Sequence, residues 1–483
     1  MAYRYAGKNT RSFSAVCQNN YGREVILTNA KTINASNVVD ELNKALSIHR
    51  QNKSEIEYLE RYYEGDQPIL YRVKKVRPDI NNKVVNNIAY MIVEMKTSEI
   101  AGEPIQYVQH GADESKSDDV AKLNVMMNSE DKPYFDIELC RWRSICGTAY
   151  RYVGTNDKEK DLLDEYPFYL ETENPKYTFV AYSSSRRDKA MFSCQIRKDE
   201  NNKNVYNVFT DTEFFVIQDG KIKEKDVNGN KAIPVIEYPN NARRLSDIEI
   251  TIAMTDELNT MASDRANGIE QFVASWIKFV NCDVDIETYR QMRQEGALVV
   301  KSNNGESNKA DVDVMTSELN QSESQVAVND QFDKILIIQG LASRQGNTGG
   351  DTQGAVELRN GHYDAEKRAE LSEPIFIRAE RQFLKIILNK MRITDDWNLK
   401  QSDVEVKISR TKMDNMQVKA IVLQTLLQSG INPARAIKTV GLFSDPEQVS
   451  IESKARMDVL YPESVEQGDF SKEVEGGNND TTV

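Results

Sequence analysis

The stretch Arg243–Phe272, RRLSDIEITIAMTDELNTMASDRANGIEQF, decides the architecture. Ser246 suits an N-cap, and Glu249 three residues later completes a capping box. No proline interrupts the stretch, and its one glycine, Gly268, falls near the end. The spacing predicts a helix over Leu245–Gln271, roughly 40 Å long at ~1.5 Å per residue. It carries Asp247, Glu249, Asp256, Glu257, Asp264 and Glu270 against a single base, Arg265. A charge run of this kind is usually a solvated face. Here Ile248, Ile250, Ile252, Met254, Leu258, Met261 and Ile269 spread over more than one stripe, which implies neighbours on several sides and packing within an oligomer.

Upstream, helical spacing returns. Ser36 and Asn37 can cap a segment through Val39, Leu42 and Leu46, with a second helix over Ser54–Tyr63 ended by the turn cluster Gly65-Asp66-Gln67-Pro68. Apolar residues at Val85, Ile88, Ile92, Met95 and Ile100 predict a helix over Val84–Ile100, and another fits Phe135–Ile145 before Gly147. Between Tyr150 and Pro239, short β-branched and aromatic runs (Tyr177–Tyr182, Val205–Phe209, Glu213–Ile217) alternate with Asn, Asp and Gly clusters, the texture of an antiparallel β-region.

Downstream, Trp276–Val280, Ala297–Val300 and Asp311–Met315 read as strands, the last two joined through Asn304-Gly305. Gln321–Ser343 is helical. Ser343–Gly354, SRQGNTGGDTQG, has no large apolar side chain and reads as a mobile loop. Ala355–Arg392 is a long helix that Pro374 should kink near Glu370–Leu371. Asp403–Ser409 is a strand. Met413–Gln428, a helix opened by Asn432-Pro433 and a third opened by the Ser444–Glu447 capping box follow. The acidic Pro462–Val483 reads as a disordered tail.

The chain has 483 residues, 62 basic and 75 acidic, and a formal net charge of -13. Nucleic-acid binding by counterion release needs clustered Lys and Arg, so a tight DNA grip is not expected. No apolar run approaches the ~20 residues of a membrane span, and the N-terminal MAYRYAGKNTR lacks the apolar core of a signal peptide. Cys17, Cys140, Cys146, Cys194 and Cys282 form an odd, scattered set that suggests free thiols. His49, His110 and His362 are too few and too dispersed for a multi-histidine metal site. No cofactor is implied.

Catalytic motifs are mostly missing: there is no Walker A sequence, GxGxxG, GxSxG or HExxH. In Asp403-Val404-Glu405-Val406-Lys407, alternation puts Asp403, Glu405 and Lys407 on one strand face. With Asp395 or Asp396 they could hold Mg²⁺ and activate water, as in a nuclease. A half-buried strand with a charged solvent face explains the same pattern, and the period-two rule favours it. The glycine-rich loop could cradle phosphate through backbone amides, but it lacks the Lys-Ser/Thr ending of a P-loop.

Four stretches, in order, resemble the portal proteins of tailed bacteriophages: Tyr62–Leu70 (YYEGDQPIL), Asn81–Tyr107 (NNKVVNNIAYMIVEMKTSEIAGEPIQY), Ile145–Tyr150 (ICGTAY) and Ile233–Phe272 (opening IPVIEYPNNARRLSD). The succession of elements afterwards is similar as well. The resemblance implies an α+β, mainly helical fold of wing, stem, clip and crown, assembled as a dodecameric ring around a central channel. It divides the chain into a wing (1–240, β-rich from about 150), a stem helix (241–271), a clip (272–320), a second stem helix (321–343) and a tunnel loop (344–356). A kinked wing helix with a strand (357–412), a crown (413–461) and the tail (462–483) complete it.

The resemblance implies no enzymatic activity. The six stem acids would line a passage for double-stranded DNA, with Arg344, Gln345, Asn347, Thr348, Asp351 and Gln353 at its throat. Trp276, Lys278, Asn304 and Glu306 of the clip would meet the terminase large subunit or head-completion and adaptor proteins. Scaffolding and major capsid proteins are the other implied partners, and no membrane is. The implied place is the capsid vertex of the virion, after assembly in the bacterial cytoplasm. Acidic walls suit such a passage, because they repel phosphates within a Debye length of ~8 Å instead of binding them. A passive connector ring and the metal-dependent nuclease are the alternative readings.

Overall fold

The structure, a computed structural model, describes residues 22–75, 78–110, 116–156, 165–273, 276–280, 285–287, 290–291, 311–315, 321–341, 362–395, 397–409, 416–441, 443 and 446–460. In chain order these form β1 (Leu27–Thr28), α1 (Val38–Tyr63), α2 (Ile88–Ala101), β2 (Gln106–Gln109), α3 (Ser117–Ser129) and α4 (Lys132–Cys146). Strands β3 (Thr148–Thr155), β4 (Phe168–Glu173), β5 (Thr178–Ser183), β6 (Ala190–Lys198), β7 (Asn204–Phe209), β8 (Glu213–Gln218), β9 (Lys221–Val227) and β10 (Val235–Pro239) follow. Then come α5 (Ile252–Val273), β11 (Trp276–Val280), β12 (Asp311–Met315), α6 (Gln321–Gln339), α7 (His362–Asp395), β13 (Val404–Lys407), α8 (Met416–Gln428), α9 (Pro433–Val440) and α10 (Pro446–Leu460). The mixed α+β class matches the expectation. The chain divides into two compact units, the first holding residues up to 99, 135–155 and 170–379, the second 100–134, 156–169 and 380 onward.

In the first unit a six-stranded sheet runs β1-β5-β6-β7-β8-β9, antiparallel except for the short parallel β1–β5 pairing. Its β8–β9 hairpin turns on Asp219-Gly220, both at positive φ (50° and 71°), the twist a two-residue hairpin needs. α1 buries Val38, Leu42, Ala45, Leu46, Ile56, Leu59 and Tyr62, a 3.6-residue stripe. Its first half packs on Phe179, Phe192, Val208, Phe215 and Ile217 of the sheet. Its second half joins Ala89, Val93, Ile145, Cys146, Ile248 and Ile252 in another cluster. A third cluster brings Ile88 and Ile92 of α2 against Leu258 of α5 and Ile335 and Leu336 of α6. Fully burying each such aliphatic side chain contributes about 1.5–3 kcal/mol, so α5 is held by two apolar clusters at once.

The second unit pairs β2 with β13 antiparallel, Glu405 opposite Val108. Beneath them lies a buried ion pair, Lys132 Nζ to Glu380 Oε1 at 2.9 Å, and the Tyr107 hydroxyl donates to the same oxygen at 2.5 Å. Phe383, Leu384 and Ile387 of α7 are fully buried.

Several boundaries differ from the sequence expectation. α1 is one continuous helix: its buried stripe passes from Leu46 to Ile56 through the polar His49, Asn52 and Glu55. α2 starts at Ile88 rather than Val84, and α5 at Ile252 rather than Leu245. Half of the expected box forms: the Ser246 N–H donates to Glu249 Oε2 at 2.7 Å, while Ser246 Oγ accepts from Ile248 N–H at 3.1 Å. They close a turn before the helix instead of opening the helix itself. α7 continues through Pro374. β12 pairs with β11, Trp276 opposite Met315, whereas Ala297–Val300 and Asn304-Gly305 lie outside the described residues. So does the tail from 461 onward. Cys140, Cys146 and Cys194 are buried thiols in no disulfide, and Cys17 and Cys282 lie outside the described residues.

Gly147, between α4 and β3, has φ +80°, and a Cβ there would stand 2.0 Å from the Arg244 carbonyl oxygen. Both the left-handed backbone and the backbone-to-backbone approach exclude a side chain. Gly147→Ala is therefore expected to lower unfolding free energy by about 3 kcal/mol or more. Urea denaturation of the full chain checks this, and a loss below ~1 kcal/mol would refute it.

Candidate functional site

α5 receives most of the sequence's distinctive residues. Asn259, Ser263 and Asn267 recur every four residues on one face and are buried. Against that face lies the extended segment that leads into α2. Asn86 N–H donates to Asn259 Oδ1 at 2.7 Å, Val84 N–H to Ser263 Oγ at 2.9 Å, and Asn82 N–H to Asn267 Oδ1 at 2.7 Å. Four residues of helix advance ~6 Å and two of extended chain ~6.6 Å, so the acceptors match the alternate donors of a chain running antiparallel to the helix. This is why α2 does not begin at Val84: delivering the alternate N–H groups of Asn82, Val84 and Asn86 to acceptors one helical turn apart requires extended backbone there.

The turn after α1 closes the same seam. Asn259 Nδ2 donates to Gln67 Oε1 at 2.5 Å, and Gln67 Nε2 donates to the Tyr62 carbonyl at 3.2 Å and to Asn87 Oδ1 at 3.1 Å. Asn87 Nδ2 returns to the Tyr63 carbonyl at 2.8 Å. At the other end of α4, the Ser144 carbonyl accepts from Ser246 Oγ at 2.9 Å and from Asp247 N–H at 3.1 Å. Buried Glu237 is bonded by the Arg244 guanidinium, by the Tyr182 hydroxyl at 2.7 Å and by the Thr148 hydroxyl at 2.8 Å. Burial pushes the Glu237 carboxyl up, but Arg244 and the two hydroxyls outweigh it and hold it below its ordinary range.

The six acids expected on this helix take different places. Asp247 and Glu249 precede it. Asp247 accepts from Ser144 Oγ at 2.6 Å and Asn240 Nδ2 at 2.9 Å. Glu249, 7% exposed, pairs with buried Arg23, which also reaches Glu55 at 3.3 Å. Asp264 pairs with Arg72 at 2.8 Å and Lys74 at 3.6 Å. Glu270 accepts from Asn82 Nδ2 at 2.6 Å, and Glu257 from Gln331 Nε2 at 3.1 Å. Glu257, Asp264 and Glu270 are exposed. Arg265 donates to Gln325 across to α6.

Asp256 is the exception. Its Oδ1 accepts the Tyr62 hydroxyl at 3.0 Å, and its buried Oδ2 has no hydrogen-bond partner among the described residues. Burial pushes this carboxyl up to about 7, and the Tyr62 bond only partly opposes it.

Of the remaining candidates, Trp276 and Lys278 lie on β11, Lys278 opposite Asp313 of β12. Asn304, Glu306, Arg344, Gln345, Asn347, Thr348, Asp351 and Gln353 lie outside the described residues. On β13, Val404 and Val406 are buried, and Glu405 pairs with Lys407 at 3.0 Å. Asp403 is turned back on Lys400 N–H at 3.0 Å. Among the described residues no three His, Cys, Asp or Glu side chains converge as a metal would require. What sequence reading missed was the Asn259-Ser263-Asn267 ladder, although its four-residue period and the alternate residues at 82, 84 and 86 were both visible.

Two outcomes test this geometry. Asn259→Leu keeps the branched heavy-atom shape but orphans the half-buried Asn86 N–H and the buried Gln67 Oε1, and should cost about 1–3 kcal/mol for each group. Urea denaturation reads the loss, and an unchanged midpoint would overturn the seam's role. For Asp256, an ordinary aspartate titrates near 3.8. Between that value and about 7 the unfolded chain is ionised while the folded carboxyl keeps its proton. Stability therefore falls as pH rises through that window and levels off above it. Asp256→Asn removes the loss, so its melting temperature should exceed the parent's at about pH 8 and converge toward it as the pH falls to about 4. A pH-independent difference in thermal scans would count against the assignment.

A family model described as phage portal protein, SPP1 Gp6-like, matches residues 42–458. Among curated proteins none matches. Two similar solved structures are chains from the neck of an empty GTA particle computed with C6 symmetry and of a native GTA particle computed with C12 symmetry. Each is 10% identical, with TM-scores of 0.44 and 0.42; the alignments cover 74% and 73% of this chain and 90% and 89% of theirs. The family match runs from the second turn of α1 into α10 and takes in all four stretches, three of which meet α5 while the fourth contains it. The chain belongs to the phage portal protein family, SPP1 Gp6-like.

Proposed function

We propose that this chain is the subunit of a homo-oligomeric ring at the capsid vertex, through which double-stranded DNA is packaged and ejected. The observation that carries the reading is the family match over residues 42–458, together with the packing of residues from Tyr62–Leu70, Asn81–Tyr107 and Ile145–Tyr150 on α5, which the fourth stretch contains. A structural, non-enzymatic role in the capsid accords with that family. The ring presents its clip to the terminase large subunit during packaging and later to head-completion proteins. It is built among scaffolding and major capsid proteins in the bacterial cytoplasm. Exposed Glu257 and Glu270 supply negative charge along α5 that disfavours phosphate contact, which suits a passage where DNA must slide, whereas the charge of Asp264 is offset by Arg72 and Lys74.

Purified full-length protein should give end-on electron-microscopy averages with a central hole wide enough for a duplex. Native mass spectrometry should give one dominant mass that is a multiple of 55.1 kDa. A monomer alone at micromolar concentration would overturn the ring. Deleting Gly346–Gly350 should leave the ring assembled but stall packaging in a terminase-driven assay, whereas undiminished packaging would favour a passive collar.

A further inference from the structure

The later half of α7 is basic in an acidic chain. One side of the helix is buried through Phe376, Phe383 and Ile387. On the opposite side Arg378, Arg381, Lys385 and Arg392 recur at i, i+3, i+7 and i+14, within about 60° of one another. All four are exposed, and none forms an ion pair among the described residues. Between Pro374 and Thr394 the one acid is Glu380, which is buried and paired with Lys132. The stripe runs ~21 Å at ~1.5 Å per residue. Gln382 and Asn389 share its face, and Asn389 Oδ1 accepts from Arg392 Nη2 at 2.5 Å.

A second basic element stands beside Arg378. The β5–β6 hairpin is closed by the Ser183 N–H to the Lys189 carbonyl and the Lys189 N–H to the Arg186 carbonyl, both at 2.9 Å. Its tip exposes Ser184, Ser185, Arg186, Arg187 and Lys189. Asp188 pairs there with Arg186 at 3.0 Å; Arg186 holds its carboxyl below the ordinary range, and Arg378 lies close enough to add to that effect. Nucleic-acid binding by counterion release needs clustered Lys and Arg, and folding brings together here bases that are far apart in sequence. Arg, Lys, Gln, Asn and Ser are also the side chains that meet phosphate oxygens. A protein partner is instead gripped by a central patch of aromatic or aliphatic anchors with few charges. The exposed aliphatic residues nearest this stripe, Leu371 and Ile393, lie beyond its two ends.

We propose that the exposed face of α7, with the hairpin tip beside Arg378, is a contact site for the phosphate backbone of double-stranded DNA. The site is distinct from α5, whose acids disfavour phosphate, and it rests on the reading above only for the choice of polyanion. A duplex presents one phosphate per ~1.7 Å of axis, so the stripe spans about a dozen of them. With the four cations of α7 engaged, the affinity is independent of base sequence and falls with salt at a logarithmic slope of about -3.6. Such a contact is weak at physiological salt and holds DNA without reading it.

The test is fluorescence anisotropy of a labelled duplex of about 30 base pairs, titrated with the full-length chain between about 50 and 200 mM salt. Arg381→Gln with Lys385→Gln should flatten the salt slope by about 1.8 and weaken binding tenfold or more, by order of magnitude, at the lowest salt. Lys221→Gln with Lys223→Gln makes the same change of charge on the exposed strand β9 and should leave both quantities as in the parent. All are surface positions, and matching melting temperatures confirm folding. If the parent does not bind the duplex at the lowest salt, or the α7 and β9 variants lose binding equally, the site is wrong. If the α7 variant keeps the duplex but loses capture of polyglutamate, the face belongs to an acidic protein and the DNA site is again wrong. Native mass spectrometry of the same samples separates this proposal from the ring. A monomeric parent that binds the duplex through α7 removes the ring and leaves the site. A ring whose duplex binding ignores the α7 changes keeps the ring and removes the site.

Discussion

The architecture of the first unit depends on one match of repeat lengths. A helix that presents a polar acceptor every four residues and an extended chain that presents a donor every two advance by nearly the same distance. Asn259, Ser263 and Asn267 therefore satisfy Asn86, Val84 and Asn82 without another strand. Buried backbone donors must find acceptors, and here the acceptors are side chains of α5. The register of α5 against the approach to α2 follows from this, and so does the placing of the turn after α1, which Gln67 ties into the same seam. The apolar clusters around Ile252 and Leu258 add binding strength but are less particular about register.

This arrangement changes the meaning of the acidic helix. Glu249 is buried against Arg23, Asp247 is bonded by Ser144 and Asn240, and Asp256 sits under Tyr62. These three carboxyls at or before the start of α5 anchor it. The three farther along, Glu257, Asp264 and Glu270, face solvent, although each also accepts a hydrogen bond or ion pair from a neighbouring segment. A charge run can thus divide its work along one helix, fixing its base and leaving its far part to shape the field. In the proposed ring only that far part would act on a passing duplex, at the short range that physiological salt permits.

The segment after the turn that follows α1 is tethered by the same logic. Arg72 is 6% exposed, so its planar guanidinium is spent on holding the backbone and Asp264 together, and Lys74 beside it pairs with the same carboxylate at 3.6 Å. Lys83 Nζ donates to the Leu70 carbonyl at 2.6 Å and closes the loop on itself.

The mixed α+β class, the β-rich region after residue 150, the long helices and the strand with buried Val404 and Val406 were legible from periodicity alone, since burial imposes period 3.6 or period 2 directly on a segment. So was the family, through four stretches in order. Helix starts were not. α2 and α5 both begin later than local propensity indicates, because the residues just before them give their hydrogen bonds to partners more than a hundred positions away. Nor could the sequence tell an anchoring carboxylate from a solvated one: Glu249 and Glu257 lie on the same acidic run, and only the arrival of Arg23 from the far end of the chain makes one of them part of the core. Local pattern fixes what a segment can become, whereas long-range pairing of buried polar groups decides where it starts and which charges remain free.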